Sequence, residues 1–148
     1  MIDIERIYTY FSEIDQQTQI INEILLTNDD QLLQNKVQLN ALKYSIIVTS
    51  EVIGNTLQHI LAKKYKIAID GYQSLISKSS QQGILPDSIY QRLKPFFDFR
   101  NMLVDRYWKI DDSTFLINLR PGVKDLTEFK NVIQKCIGDS YNQESNNL

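Results

Sequence analysis

Apolar side chains recur three and four positions apart along nearly the whole chain, which is the period of a helix with one buried face. In the first segment the stripe runs through Ile4, Ile7, Tyr8, Phe11, Ile14, Thr18, Ile21, Ile24 and Leu25. Asp3 stands where an N-cap would open it. Thr27-Asn28-Asp29-Asp30 then interrupts the period with turn and cap residues. A second, long helix is predicted from about Leu32 to Lys64, with Leu39, Leu42, Ile46, Thr49, Ile53, Leu57, Ile60 and Leu61 inward. Tyr44, Ser45, Glu51 and Asn55 are polar positions close to that stripe. Such positions turn toward solvent, a partner chain or a site.

Glycine and proline place the remaining boundaries. None occurs before Gly54. A short third helix is predicted from Gly71 to Gln81, with Tyr72, Leu75 and Ile76 inward. Pro86 opens a fourth at a favourable early position. Pro95 lies inside its pattern, so a kink or break is expected just before it, and the helix then resumes through Phe96, Phe99, Leu103 and Tyr107. Asp111-Asp112-Ser113 and Pro121-Gly122 read as junctions, and Asp125 to Ile137 as the last amphipathic helix. No strand-period segment is long enough to build a sheet. The pattern predicts an all-α fold, an antiparallel bundle of about five helices forming one domain over residues 1–139. Residues 140–148, rich in Asn, Gln and Ser, are expected to be a disordered tail.

Composition narrows the function classes. A chain of 148 residues with 43% hydrophobic and 23% charged residues can bury a core without disulfides or structural metals. The single cysteine, Cys136, lies among Val132, Ile133 and Ile137, which predicts a buried structural thiol, and its isolation favours a reducing, cytoplasmic setting. No apolar run approaches the ~20 residues of a membrane span. With one histidine, His59, and no Cys/His/carboxylate cluster at ligand spacing, neither a metal nor another cofactor is expected. The net charge of −2 means that any nucleic-acid contact must be a small local site rather than a basic face.

One segment concentrates reactive side chains: Arg100-Asn101-Met102-Leu103-Val104-Asp105-Arg106-Tyr107. On a continuous helix Arg100 and Tyr107 would lie about 20° apart around the axis and ~10.5 Å apart along it, with Asn101 and Asp105 on the neighbouring face. On spacing alone such residues are more often a solvated ion pair and a half-buried tyrosine than a site.

The surrounding stretch PFFDFRNMLVDRYWKIDD resembles the signature of the HEPN superfamily in its HepT branch: Arg, four residues, His, one residue, Tyr. Arg100 stands at the Arg position, Asp105 at the His position and Tyr107 at the Tyr position, and Asn101 matches the polar residue that follows the Arg. The resemblance extends through ALKYSIIVTSEVIGNTLQHILAKK and GYQSLISKSSQQGILPDSIYQRLKPFFDFRN, covering about Leu42 to Phe129. It implies a homodimer of helical bundles whose signatures meet in a cleft and cut RNA without a metal. In that scheme Arg100 neutralises the scissile phosphate beside Asn101, and the residue at position 105 carries protons around attack of the 2′-hydroxyl. It also implies a toxin–antitoxin pair, in which an MntA-like nucleotidyltransferase neutralises the toxin by adenylylating Tyr107. Each adenylate would add charge and bulk at the cleft.

Asp105 departs from this pattern where the chemistry is most demanding. A histidine titrates near ~6.5 and both takes and gives protons at neutrality, whereas an ordinary aspartate, near ~3.9, is ionised and a poor acid. A carboxylate ~5 Å from a phosphate oxygen costs about 3 kcal/mol at an effective dielectric near 20, roughly a hundredfold in rate. It is also expected to pair with Arg100 or Arg106. Reduced or absent cutting therefore follows, whether Asp105 was introduced to obtain a tolerated toxin or is natural to a variant that only binds. The alternative to a ribonuclease is a non-catalytic HEPN module that accompanies a minimal nucleotidyltransferase.

Overall fold

In the computed structural model, which describes residues 1–106 and 109–146, the described chain is all helical, and four of its helices start where a side chain caps them. Helix α1 spans Ile4–Ile24, and the Asp3 carboxylate accepts the Arg6 amide at 3.1 Å, as its position predicts. Helix α2 is short, Asp29–Gln34, opened by Asn28, whose side chain accepts the Gln31 amide. Helix α3, Lys36–Lys64, is 29 residues and about 44 Å long. Helix α4 is Tyr72–Gln81, α5 is Asp87–Asp105, α6 is Asp112–Gly122 and α7 is Lys124–Asn146.

Seven helices among the described residues replace the expected five or so, for local reasons. The predicted second helix begins later because Asn35 leaves helical geometry and accepts the Gln38 amide, so residues 29–34 form a turn of their own. Asp111 caps α6 through the Thr114 amide, turning the stretch between two predicted junctions into a separate helix. Pro95 does not break α5. The residue is exposed, so water can serve the Gln91 carbonyl that loses its donor. Helical backbone also continues past residue 139 to Asn146, beyond the boundary suggested by composition.

Helix α4 ends as its sequence demands. Gly83 adopts φ +78°, and the Gly83 and Ile84 amides donate to the Ser80 and Ser79 carbonyls, both at 3.0 Å. This closure by a left-handed residue turns the chain sharply into Pro86 and α5.

Helix α3 runs through the middle, with α1 as its most extensive neighbour and α4 and α5 also packed on it. The Asp3 amide donates to His59 Nε2 at 2.9 Å, so the start of α1 meets the end of α3 and the two run antiparallel. The buried stripe of α1, Ile7, Phe11, Ile14 and Ile21, lies within the predicted set. Its neighbour Tyr8 is exposed instead. At the other end Arg120 of α6 ties down the turn after α1: it donates to Asp29 at 2.7 Å and to the Leu25 and Thr27 carbonyls at 2.9 and 2.8 Å. Cys136 is only partly buried, with the Lys64 ammonium 3.8 Å from its sulfur. No helix among the described residues is long and apolar enough to cross a membrane.

Candidate functional site

Arg100 is carried by the last turns of α5, whose apolar face, Leu93, Phe96, Phe97 and Leu103, is buried against the bundle. The same face fixes where its neighbours point. Arg100 is directed between α3 and α4, and its side chain is only 15% exposed. A guanidinium so withdrawn from water needs partners, and three elements supply them. From α4, the Tyr72 ring stacks under it, with the guanidinium carbon 4.1 Å from the ring centroid. From α3, Glu51 Oε1 accepts from Nη2 at 2.5 Å. From α5 itself, Asn101 Oδ1 accepts from Nη1 at 3.1 Å. Nε is buried and makes no hydrogen bond among the described residues.

The stack depends on a glycine in another helix. A Cβ at Gly54, in the interior of α3, would stand 3.0 Å from Tyr72 Cε2. A glycine there costs the helix about 1 kcal/mol relative to alanine, and the close passage of the Tyr72 ring is its reason. Phe97 completes the support, edge-on to Tyr72 with centroids 6.1 Å apart. Burial pushes the Tyr72 hydroxyl far above the ordinary phenol range, and the Arg100 charge opposes that rise without overcoming it. Tyr72 thus stays neutral, an apolar floor under a fixed cation.

The structure brings Arg100 and Asn101 together but treats Asp105 differently. Asp105 is the last residue of α5 and is exposed. Among the described residues Arg100 pairs with Glu51 rather than with Asp105, which corrects the expected partnership. Five residues separate Arg100 from Asp105, about 140° around the helix, so the two carboxylates approach from different sides. The helix also ends sooner than predicted. Arg106 has φ −145° and ψ 49°, outside helical geometry. Tyr107 itself lies outside the described residues.

Tyr72 was legible in the sequence only as an inward residue of α4, and Glu51 only as a polar position beside the stripe of α3. The traceable signal was Gly54, an unforced glycine in a long helix. Among the described residues no group of three or more His, Cys, Asp or Glu could hold a metal ion. The arrangement supplies one immobilised guanidinium and a neighbouring carboxamide, a pair suited to an oxyanion such as a phosphate.

The family described as "Ribonuclease HepT-like" matches residues 14–133. The chain belongs to the HepT-like ribonuclease family, within the HEPN superfamily. No curated protein sequence matches it. Solved structures share the fold, among them these two. A chain from the crystal structure of a toxin–antitoxin with AMP-PNP superposes with a TM-score of 0.78 at 14% identity, covering 86% of this chain and 97% of that one. YutE, a cytosolic protein of unknown function from Bacillus subtilis, gives 0.78 at 15% identity, with 94% and 93% covered. In this HepT-like chain Arg100 is therefore a stacked, largely buried cation.

Proposed function

We propose that the protein is the toxin of a toxin–antitoxin pair, built to cut RNA without a metal at a cleft between two copies of the chain. The observation that carries this reading is the placement of Arg100, stacked on Tyr72 and bonded to Asn101, in a HepT-like chain. A fixed guanidinium holds a phosphodiester without reorganising and stabilises the charge that grows on it during attack by the 2′-hydroxyl. The apolar residues left exposed suit a second copy: Val104 stands one turn after Arg100 at 47% exposure, and Tyr44 and Ile117 are more exposed still. Tyr107 is the residue whose adenylylation by an MntA-like nucleotidyltransferase would block the cleft, and the cytoplasm is where such a pair works.

Asp105 limits the chemistry in this chain. It supplies a carboxylate where the reaction needs a proton carrier at neutral pH, and it sits at a helix C-terminus, whose partial negative charge favours a cation instead. Cutting by this chain is therefore slow or absent while phosphate binding at Arg100 persists. That departure favours a second reading, a HEPN module that binds without cutting and accompanies a nucleotidyltransferase.

Metal-free cleavage of RNA by the chain and by its Asp105→His variant separates the two. Cutting by Asp105→His at least a hundredfold faster supports the ribonuclease. Equal, measurable rates overturn the role given to position 105. Absence of cutting by both, with RNA binding retained, selects the binding module. Full activity in Asp105→His combined with Arg100→Ala removes Arg100 from the site.

A further inference from the structure

Beside Arg100, α4 and α5 enclose a cavity of about 210 Å³. Tyr72, Gln73 and Ser77 of α4 line one side, and Tyr90, Lys94 and Asn101 of α5 line the other. The α5 residues recur at spacings of four and seven, so they share one helical face, which continues into the arginine site through Asn101.

We propose that this cavity is a subsite for one unpaired nucleobase of an RNA strand whose phosphate lies at Arg100; the inference rests on the RNA-binding part of the function proposed above. The first argument is size. The cavity is smaller than the roughly 300–1,000 Å³ of sites for drug-sized ligands, so it suits a single flat ring rather than a whole nucleotide. The second is chemistry. Proteins take single-stranded bases by stacking them on aromatic rings and pairing their edges with polar side chains. Here Tyr72 and Tyr90 supply rings, and the carboxamides of Gln73 and Asn101 supply both donors and acceptors. The third is continuity. Asn101 Oδ1 is engaged by Arg100 at 3.1 Å, which turns the carboxamide to a defined orientation, and its amide nitrogen carries two donors for a base edge. A base seated here and a phosphate on Arg100 would thus share one orienting residue.

Lys94 adds a cation at the rim. It stands six residues before Arg100, about 9 Å along the helix. Its partner Asp98 lies at 3.2 Å, and both side chains are about half exposed, so the ammonium can turn to a neighbouring phosphate at little cost. The subsite gives the protein a means of choosing unpaired RNA over duplex, because a base in a helix is stacked and cannot enter.

The test uses the full chain and a short, unstructured 2′-O-methyl oligoribonucleotide, which resists cutting, followed by fluorescence anisotropy. Ser77 is exposed on α4, so Ser77→Trp fills the cavity from outside the core. It should weaken binding roughly tenfold, the size of one lost base-stacking contact, while Ser74→Trp, at an exposed position of α4 that does not line the cavity, binds as wild type. Photocrosslinking of wild type to the same strand carrying 5-iodouridine should label Tyr90 or Tyr72, whatever the fold of the tryptophan variant. Unchanged affinity in a folded Ser77→Trp, or crosslinks only outside the cavity, overturns the subsite. If Arg100→Ala still abolishes binding in that case, the function proposed for Arg100 stands and only the subsite fails. No RNA binding by wild type, in low salt, sinks both.

Discussion

The guanidinium of Arg100 rests 4.1 Å above the ring of Tyr72, a residue of another helix and 28 positions earlier in the chain. This contact converts a flexible side chain into a fixed charge. Arginine carries about 2 kcal/mol of rotamer entropy, which an unsupported side chain would lose on meeting a phosphate. The stack, the Asn101 bond and the Glu51 ion pair remove that freedom during folding instead.

The support can be weakened from a distance. Gly54→Ala places a methyl group 3.0 Å from Tyr72 Cε2, so the ring must shift by a few tenths of an ångström and carry Arg100 with it. RNA affinity should fall several-fold, while stability changes by less than about 1 kcal/mol because improved helix propensity offsets the crowding. Tyr72→Leu should lower affinity further, and Tyr72→Phe, which keeps the ring, should bind as wild type. Anisotropy titrations with urea melts on each variant check this. A Tyr72→Leu protein that folds and binds RNA normally would remove the positioning role.

Glu51 competes with the ligand. Its carboxylate occupies Nη2 of Arg100, yet its side chain is 49% exposed and can swing into water. A negative charge about 5 Å from a bound phosphate costs roughly 0.8 kcal/mol when well screened, close to fourfold in affinity. Glu51→Gln should therefore tighten RNA binding by about fourfold at low salt, with a smaller gain as salt rises. Weaker binding in Glu51→Gln would show that the carboxylate helps rather than competes.

Modification of Tyr107 is expected to be independent of position 105, because a phenol hydroxyl needs no help from that side chain to accept an adenylyl group. Incubation with the partner nucleotidyltransferase and ATP should raise the intact mass in adenylate-sized steps in both the chain and its Asp105→His variant. The same steps in Tyr107→Phe would place the modification elsewhere.

His59 makes stability depend on pH. Its Nε2 must be unprotonated to accept the Asp3 amide at 2.9 Å, and the ring is buried. Burial, with the nearby charge of Arg6 in second place, holds its pKa below the usual 6.5. The folded state therefore prefers neutral imidazole. The stabilisation is complete above about pH 6.5 and declines as pH falls, because the unfolded chain takes up the proton first. Urea melts between pH 7.5 and 5 should show a steeper loss for wild type than for His59→Gln. Parallel losses would exclude His59 as the cause.

Much of this architecture could be read from local chemistry. Ile7, Phe11, Ile14 and Ile21 share a face because a helix turns 100° per residue, and Asp3 caps α1 because its carboxylate reaches an unpaired amide. The family resemblance pointed to Arg100 and Asn101, and the HepT-like match covers the same tract. What the linear chain could not express was the partnership of side chains far apart in it. Asp105 is five residues from Arg100, yet the ion pair forms with Glu51, 49 residues away, because α3 rather than the next turn of α5 lies across the guanidinium. In the linear chain Gly54 was only the first glycine to occur, and its purpose emerges where α4 brings the Tyr72 ring against it. Helical periodicity orders residues around one axis. The place of Arg100 depends on how three axes cross, and that crossing is set by the packing of the core beneath them.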